Sequence, residues 1–414
     1  MVLAKVSDMK RKKRGVSTRE AGWSGIERLA GIITSLEKNP KFRDLETTIT
    51  ELDWMYRSDP QIRSNIKLII LPIAKAKPYL LGSTPEIKRF IKDNLLESKT
   101  FSFKAFVKEA ALHLPYGFSF FEKEHEIWPD RIALKGIHYR HQTTRDRWDF
   151  DEMTEDLLGV WQTGSVNTTK KVSPYIPRRK MVLFTNDGEG KNPEGVALLR
   201  PAYFYFILKY AVLKVIGIHC ERWGGGIPNV EIDESVLDDP LMDRVMEIIA
   251  TLRTHEKSGV ISIMNKIKVG MVQAPAVSIL EAMLKFVQYL DNAIAKCMFA
   301  QFSNIGTGEV GSHSSAEVLV DLFVQAVDSI ADYMAEVITR EVIVELVEWN
   351  FGPNAPVPTL GFSNVGASLK FEKILNAITQ GVQTGVLNAK QGAVMFQSVL
   401  GGVIDSIEEE EGDA

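Results

Sequence analysis

Cysteine is almost missing from this chain: its 414 residues hold two, Cys220 and Cys297. Two thiols build neither a disulfide framework nor a zinc cluster, so the expectation is a reducing compartment and a fold held by its core. A dominant charge of one sign is missing too. Lysine and arginine number 49 against 53 aspartates and glutamates, a formal net charge of -4. That balance excludes a protein that coats nucleic acid along its whole surface and leaves only local basic patches. Metal-ligand spacing is absent as well: His138 and His141 form a His-x-x-His, but in strand-and-turn surroundings, which favours structural histidines. No Ser-His-Asp or paired-carboxylate set can be placed, so no catalytic residue, metal or cofactor is proposed.

An uncharged apolar run of membrane length is also lacking. The nearest approach is "PAYFYFILKYAVLKVIGIHC", residues 201–220, with Lys209 and Lys214 near its middle. Each lysine would cost roughly 2.5–3.5 kcal/mol there, so the segment reads as a soluble helix buried among protein neighbours, with no membrane partner. The first twenty residues carry a basic run, Lys10 to Arg14, without the apolar stretch of a secretory signal. They read as a flexible arm, either a solvated tail or a nucleic-acid contact. Glu408 to Glu411 repel one another at the opposite end, where fraying is expected.

What the chain does have is an ordinary globular composition, 45% hydrophobic and 25% charged, enough for several cores. Residues 40–72 carry apolar positions at helical spacing, with Pro60 and Pro72 as punctuation, and read as a helical pair. "STPEIKRFIKDNLL" and "FSFKAFVKEAALHL" read as helices, and Pro115-Tyr116-Gly117 turns the chain into "FSFFEKEHEIW". From there to Phe184 short alternating runs indicate mainly strand. A helix of about 23 residues follows, with Pro201 acceptable in its first turn and Gly224 to Gly226 as its stop. A small β-α-β-β module comes next. A second long helix then puts Glu281, Lys285, Gln288, Asn292 and Lys296 on one face. A third, of about 34 residues, begins at a cap from Ser314 or Ser315. Two shorter helices close the chain.

Between the second and third long helices lies "NIGTGEVGSH", which contains Gly306-x-Gly308-x-x-Gly311. These letters match a dinucleotide-binding loop, but that chemistry needs a strand ending at the first glycine. A helix precedes Gly306, so the required context is missing. A nucleotide-dependent oligomeric enzyme using this loop is kept as the rival function.

The order of elements, with the strings "LDWMYRSDPQIRSNIKLIILPIAKAKPYL", "ALHLPYGFSFFEKEHEIW", "ALKGIHYRHQTTRDRWDFDE" and "EGVALLRPAYFYFILKYAVLKVIGIHCERWGGGIPNVEI", resembles the tailed-bacteriophage portal proteins. In the first string Asp59 is similar to a residue presented before a long helix. In the last, Gly195-x-x-x-Leu199-Arg200 is similar to the start of the family's stem helix. The likeness runs from about residue 45 to near the end, and its specificity lies in the order of degenerate motifs.

The resemblance implies an α+β portal fold: a β-rich wing, two long stem helices bracketing a small α/β clip, a long kinked tunnel helix and a short helical crown. In these terms 1–44 is a basic arm, 45–198 the wing, 199–223 and 278–302 the stem helices, and 224–277 the clip. Residues 303–315 are the tunnel loop, 316–361 the tunnel helix and wing return, and 362–414 the crown and acidic tail. The implied function is a dodecameric ring at one capsid vertex, in the virion after assembly in the host cytoplasm. Double-stranded DNA would pass through it during packaging and ejection. The implied partners are other copies of the chain, large terminase, a head-tail adaptor, and capsid and scaffolding protein. Packaging energy would come from a separate ATPase.

Candidate residues follow. Lys209, Lys214 and Arg222 on the first stem helix, with Arg200 at its start, and Lys285 and Lys296 on the second, either face DNA in the channel or pair across subunit interfaces. Lys285 and Lys296, eleven positions apart, lie within about 20° on an ideal helix. Arg253, His255, Lys257, Lys266 and Lys268 in the clip form a docking surface for motor or adaptor, or else a solvated hairpin. Asn304, Ile305, Gly306, Thr307, Gly308, Glu309, Val310, Gly311 and His313 make the loop that lines the DNA channel. Its glycines permit close approach of copies, and Glu309 discourages phosphate from sticking.

Overall fold

A computed structural model describes residues 28–29, 32–33, 39–129, 131–167, 170–223, 227–232, 243, 267–272, 277–300, 313–363 and 365. The chain divides into two compact units, one of residues 1–201 and 297–414, the other of residues 202–296.

The first unit opens with the expected helical pair. Asp44 accepts from the Thr47 N–H at 3.0 Å and caps α1 (Leu45–Ser58). Asp59, buried, accepts from the Ile62 N–H at 3.0 Å and caps α2 (Pro60–Lys75), with Pro60 at the position where a missing N–H costs nothing. Asp59 therefore ends one helix and starts the next. Pro72 does not end α2 as the sequence suggests. It sits in the last turn, and the Ala76 N–H closes onto the Pro72 carbonyl at 2.9 Å. Strand β1 (Lys77–Leu81), α3 (Pro85–Ile91) and α4 (Phe103–Ala110) follow, α3 capped by Thr84 and α4 by Ser102.

The region read as mainly β holds two antiparallel three-stranded sheets. The first comprises β2 (Phe118–Ile127) and β3 (Ile132–Arg140), with β7 (Met181–Thr185) on the other side of β2. The second comprises β4 (Arg145–Phe150), β5 (Leu157–Gln162) and β6 (Tyr175–Pro177), with β5 central. Alternation along β2 explains how they pack. Phe118 and Phe120 join Met181 and Leu183 against Trp148, Val160 and Ile176 of the second sheet. Phe121, on the opposite face, meets Phe106 of α4 edge-on at 4.9 Å. With both faces covered, β2 begins as an uninterrupted buried run, Phe118 to Phe121.

The turn into β2 needs its glycine: Gly117 has φ of 90°, and an added Cβ would lie 2.6 Å from the Glu194 carbonyl. Glu194 itself is half-buried, accepting from Arg145 Nη2 at 2.6 Å and Trp148 Nε1 at 2.9 Å. Burial pushes its carboxyl up, against the pull of Arg145.

In the second unit lie α5 (Tyr203–Trp223), the antiparallel strands β8 (Ile227–Ile232) and β9 (Ile267–Val272), and α6 (Val277–Cys297). Pro201 stands before α5 rather than in its first turn, and the first helical bond runs from Phe206 N–H to Ala202 C=O at 3.0 Å. The module read from the sequence retains its paired strands; its expected helix lies outside the described residues, except that Asp243 is helical.

Returning to the first unit, α7 (His313–Ile338) passes through a π turn at Thr339–Ile343 into α8 (Val344–Phe351). It starts at His313, just before the serines expected to cap it. Gly352, with φ of 94°, ends α8, and β10 (Thr359–Ser363) pairs antiparallel with β1, closing the unit. The arm at residues 1–27 and the closing segment from residue 366 lie outside the described residues.

Candidate functional site

The second unit carries most of the described candidate residues. Between Tyr203 and Ile218 every residue of α5 is apolar or aromatic except Lys209, Lys214 and Gly217. A helix apolar all round needs neighbours on every side. Its own chain supplies few: only 11% of the window Tyr203–Glu221 is buried, although by length and composition the helix could cross a membrane. Phe204 is 68% exposed, and Ile207, Tyr210, Leu213, Val215 and Ile218 are exposed as well. The expected burial among protein neighbours is therefore not provided within the described chain.

Helix α6 lies antiparallel to α5: Lys209 meets Asp291, while Val215 and Ile279 line one groove farther along. Between the helices runs a groove of about 510 Å³ lined by Ala211, Val215, Ile279, Ala282, Met283 and Phe286, among others. Its alanines and branched residues leave a hollow rather than filling it. Tyr289, stacked on Phe286 at 6.1 Å and 59% exposed, extends the apolar surface.

The basic residues separate into two kinds. Lys209 is buried, and its Nζ donates to Asp291 Oδ1 at 2.5 Å. It is thus held within its own subunit instead of on an open surface. Lys214 is exposed, with its ammonium 4.5 Å from the centre of the Tyr210 ring. On α6, Lys285 and Lys296 are exposed on the same face as Glu281, Gln288 and Asn292, as the helical spacing predicts. Arg222 lies in the last turn of α5. Arg200 belongs to the first unit, where its guanidinium lies 4.3 Å over Phe42.

Lys268 stands on β9 opposite Glu231 of β8, so this part of the clip cluster has an acidic cross-strand neighbour. Arg253, His255, Lys257 and Lys266 lie outside the described residues, as do Asn304 to Gly311. His313, expected in the loop, is the first residue of α7. After α6 the described chain makes a turn at Met298–Phe299, with no strand among the described residues on that side.

His138 Nε2 lies 2.9 Å from Glu124 Oε2, and His141 Nδ1 bonds Thr143 at its own turn. Among the described residues no three potential metal ligands come together. Cys220 is exposed, Cys297 half-buried, and both are free thiols; burial pushes the Cys297 thiol up. Two features escaped the sequence reading. One is the groove, which needs both helices at once. The other is Asp291, whose signal was available: it lies roughly 100° away from the centre of the polar face of α6.

A family model described as the portal protein of Mu bacteriophage matches residues 50–391 of the chain. The chain belongs to this portal protein family. No curated protein sequence gives a significant match. Solved structures are similar in fold. One is a chain from the neck of an empty GTA particle computed with C6 symmetry, with TM-score 0.58 and 10% identity, covering 84% of this chain and 93% of that one. Another comes from the neck of a native GTA particle computed with C12 symmetry, with TM-score 0.56, 9% identity and coverage of 84% and 92%. A third, from the virion of a native gene transfer agent particle, matches with the same four values. The portal family and the mixed helix-and-strand fold expected from the sequence are thus both found.

Proposed function

We propose that copies of this portal-family chain close into a dodecameric ring at one capsid vertex, where the ring is a conduit for double-stranded DNA and a platform for large terminase and a head-tail adaptor. The observation that carries the reading is α5, an apolar helix that its own chain leaves largely uncovered. In a cyclic ring each subunit offers two different faces, one to each neighbour, and a helix pair apolar on several sides suits that need. The neck structure computed with C12 symmetry supports the copy number. Lipid is the poorer cover for this surface. A hairpin of α5 and α6 in a bilayer would carry exposed Lys285 near its centre, at roughly 2.5–3.5 kcal/mol.

In this reading α5 and α6 are the stem, the β8–β9 module is the clip and the segment around Gly306 is the tunnel loop. The two-sheet unit is the wing, and residues 362–414 are the crown. Lys214, Lys285 and Lys296 are the described stem cations free to meet a passing polyanion, and Lys209 is not among them. Repeated weak contacts suit a moving duplex, since a set of tight phosphate clamps would hold it still. The ring is a structural part of the virion, meeting capsid and scaffolding protein during assembly. It performs no catalysis and takes its packaging energy from a separate ATPase.

Packaging by particles built with Lys285→Glu and Lys296→Glu tests the conduit. Rings of normal size with reduced DNA uptake or retention are expected. Wild-type packaging by such rings would remove these lysines from the channel.

A further inference from the structure

The near-uniform apolarity of α5 leaves a problem that its own pattern does not solve. An amphipathic helix has one face that must be buried, and that face fixes its rotation against a partner. From Tyr203 to Ile218 α5 has no such face. Sliding it by one turn, or rotating it, would set other apolar residues against α6 at little cost. Van der Waals contact alone therefore selects no unique alignment.

Charge does select one. Lys209 and Lys214, five positions apart, lie about 140° apart around α5 and cannot share a face. Lys214 is exposed, whereas Lys209 is buried with its Nζ 2.5 Å from Asp291 Oδ1. Asp291 is correspondingly displaced from its helix's polar face, where Glu281, Lys285, Gln288, Asn292 and Lys296 are all exposed. Each helix thus places one charged residue toward the other, and the two meet.

We infer that the Lys209–Asp291 pair is the register pin of the helix pair, fixing the rotation and axial position of α5 against α6. Any one-turn slip moves Lys209 roughly 5.4 Å along the seam and separates its buried ammonium from the half-buried Asp291 carboxylate. Parting a buried charge from its partner is destabilising, whereas a well-packed apolar pair in the same place is often neutral or better for stability. The pair accordingly contributes uniqueness more than strength, as a single buried polar residue does in a coiled coil. What it aligns is the groove, which in this register Ala211 and Val215 line together with Ile279, Ala282 and Met283. The consequence for ring assembly rests on the portal reading; the alignment itself does not.

The test compares wild type with Lys209→Met/Asp291→Leu, both lacking native cysteines and carrying spin labels at the exposed positions Gly217 and Glu281. Labelled chains are diluted into unlabelled ones so that a single subunit is read, whatever the oligomer. Wild type is expected to give one narrow distance. The apolar pair is expected to unfold within a few degrees of wild type but to give a broadened or multiple distance, with components separated by about one helical turn, ~5 Å. A single narrow distance unchanged from wild type would overturn the pin. So would an apolar pair that fails to fold, because the pair would then be a stability element. Light scattering on the same samples reads ring formation separately, so a failed ring with a narrow wild-type distance counts against the portal reading alone.

Discussion

Lys123 of β2 donates from Nζ to the main-chain carbonyl of Glu341 at 2.6 Å, joining the first sheet to the π turn between α7 and α8. The same ammonium pairs with Glu345, and its side chain is only 3% exposed. Burial pushes the Lys123 ammonium down, with Glu345 pulling the other way. Around it, Glu341 accepts from Arg178 through both carboxylate oxygens and from the Leu183 N–H at 2.9 Å. The turn that redirects the long helix is thus held by charges from the sheet it crosses. Lys123→Ala takes this donor from the Glu341 carbonyl and leaves Glu345 with Arg179 at 3.4 Å, and a loss on the order of 1–3 kcal/mol is expected. Urea unfolding measures it; a loss below about 1 kcal/mol would show that water replaces the ammonium without difficulty.

A second expectation concerns acid. His113 is buried against Phe184 and Tyr333, with Nδ1 2.8 Å from the Ala110 carbonyl. Burial lowers its pKa to about 4 from the ordinary 6.5, the Ala110 bond opposing weakly. A base whose folded pKa is depressed binds its proton more readily unfolded. Its contribution is therefore complete above pH 6.5 and is lost as pH falls toward 4. The full loss is on the order of 3 kcal/mol. Unfolding midpoints at pH 7 and pH 4.5 should differ by less in His113→Phe than in wild type. An equal difference in both would assign the acid sensitivity to other groups.

Gly195 gives a third. Its φ is 56°, and an added Cβ would lie 2.1 Å from the Asn186 carbonyl and 2.9 Å from that of Gly117. Both clashes are with backbone, which cannot swing aside. Gly195→Ala should cost at least about 2 kcal/mol and reduce soluble yield. Gly361→Ala is the control. Its Cβ would meet the Tyr79 ring at 2.5 Å, but Tyr79 is 41% exposed and can rotate away. Thermal unfolding of the two variants should separate them clearly.

Gly195 also shows what the sequence made legible. The Gly-x-x-x-Leu-Arg string was readable as a motif, yet the reason for its glycine, the approach of Asn186 and Gly117, needs three distant stretches of chain. Local signals carried much of the first unit: the helical pair punctuated at Pro60, the turn at Gly117, the short strands that follow it. Where a local rule met a tertiary constraint, the rule lost. Pro72 stays inside α2, where Ile69, Ile70, Ile73 and Ala74 around it are buried, and Pro201 stops short of α5. The site was less legible. Lys209 and Lys214 look alike in sequence, and only the position of Asp291 on another helix tells the buried lysine from the exposed one.

The glycine loop supplies a fourth expectation. Helix α6 lies before it and helix α7 after it, so among the described residues no strand feeds the loop as a dinucleotide site requires. Purified protein should show no saturable binding of ATP or NAD by calorimetry, and rings should still assemble when residues 305–311 are shortened. Nucleotide binding abolished by Gly308→Val would revive the enzymatic reading. Unimpaired packaging by the shortened loop would remove its role in the channel.

The central claim is that the uncovered apolar face of α5 is closed by further copies of the same chain around a DNA channel. Electron micrographs of the purified protein viewed down the particle axis test it most directly. The expected result is closed rings of twelve subunits around an open centre, dispersed when Val215→Asp places a charge in the groove. Monomers or dimers at micromolar concentration, with α5 still helical, would contradict it.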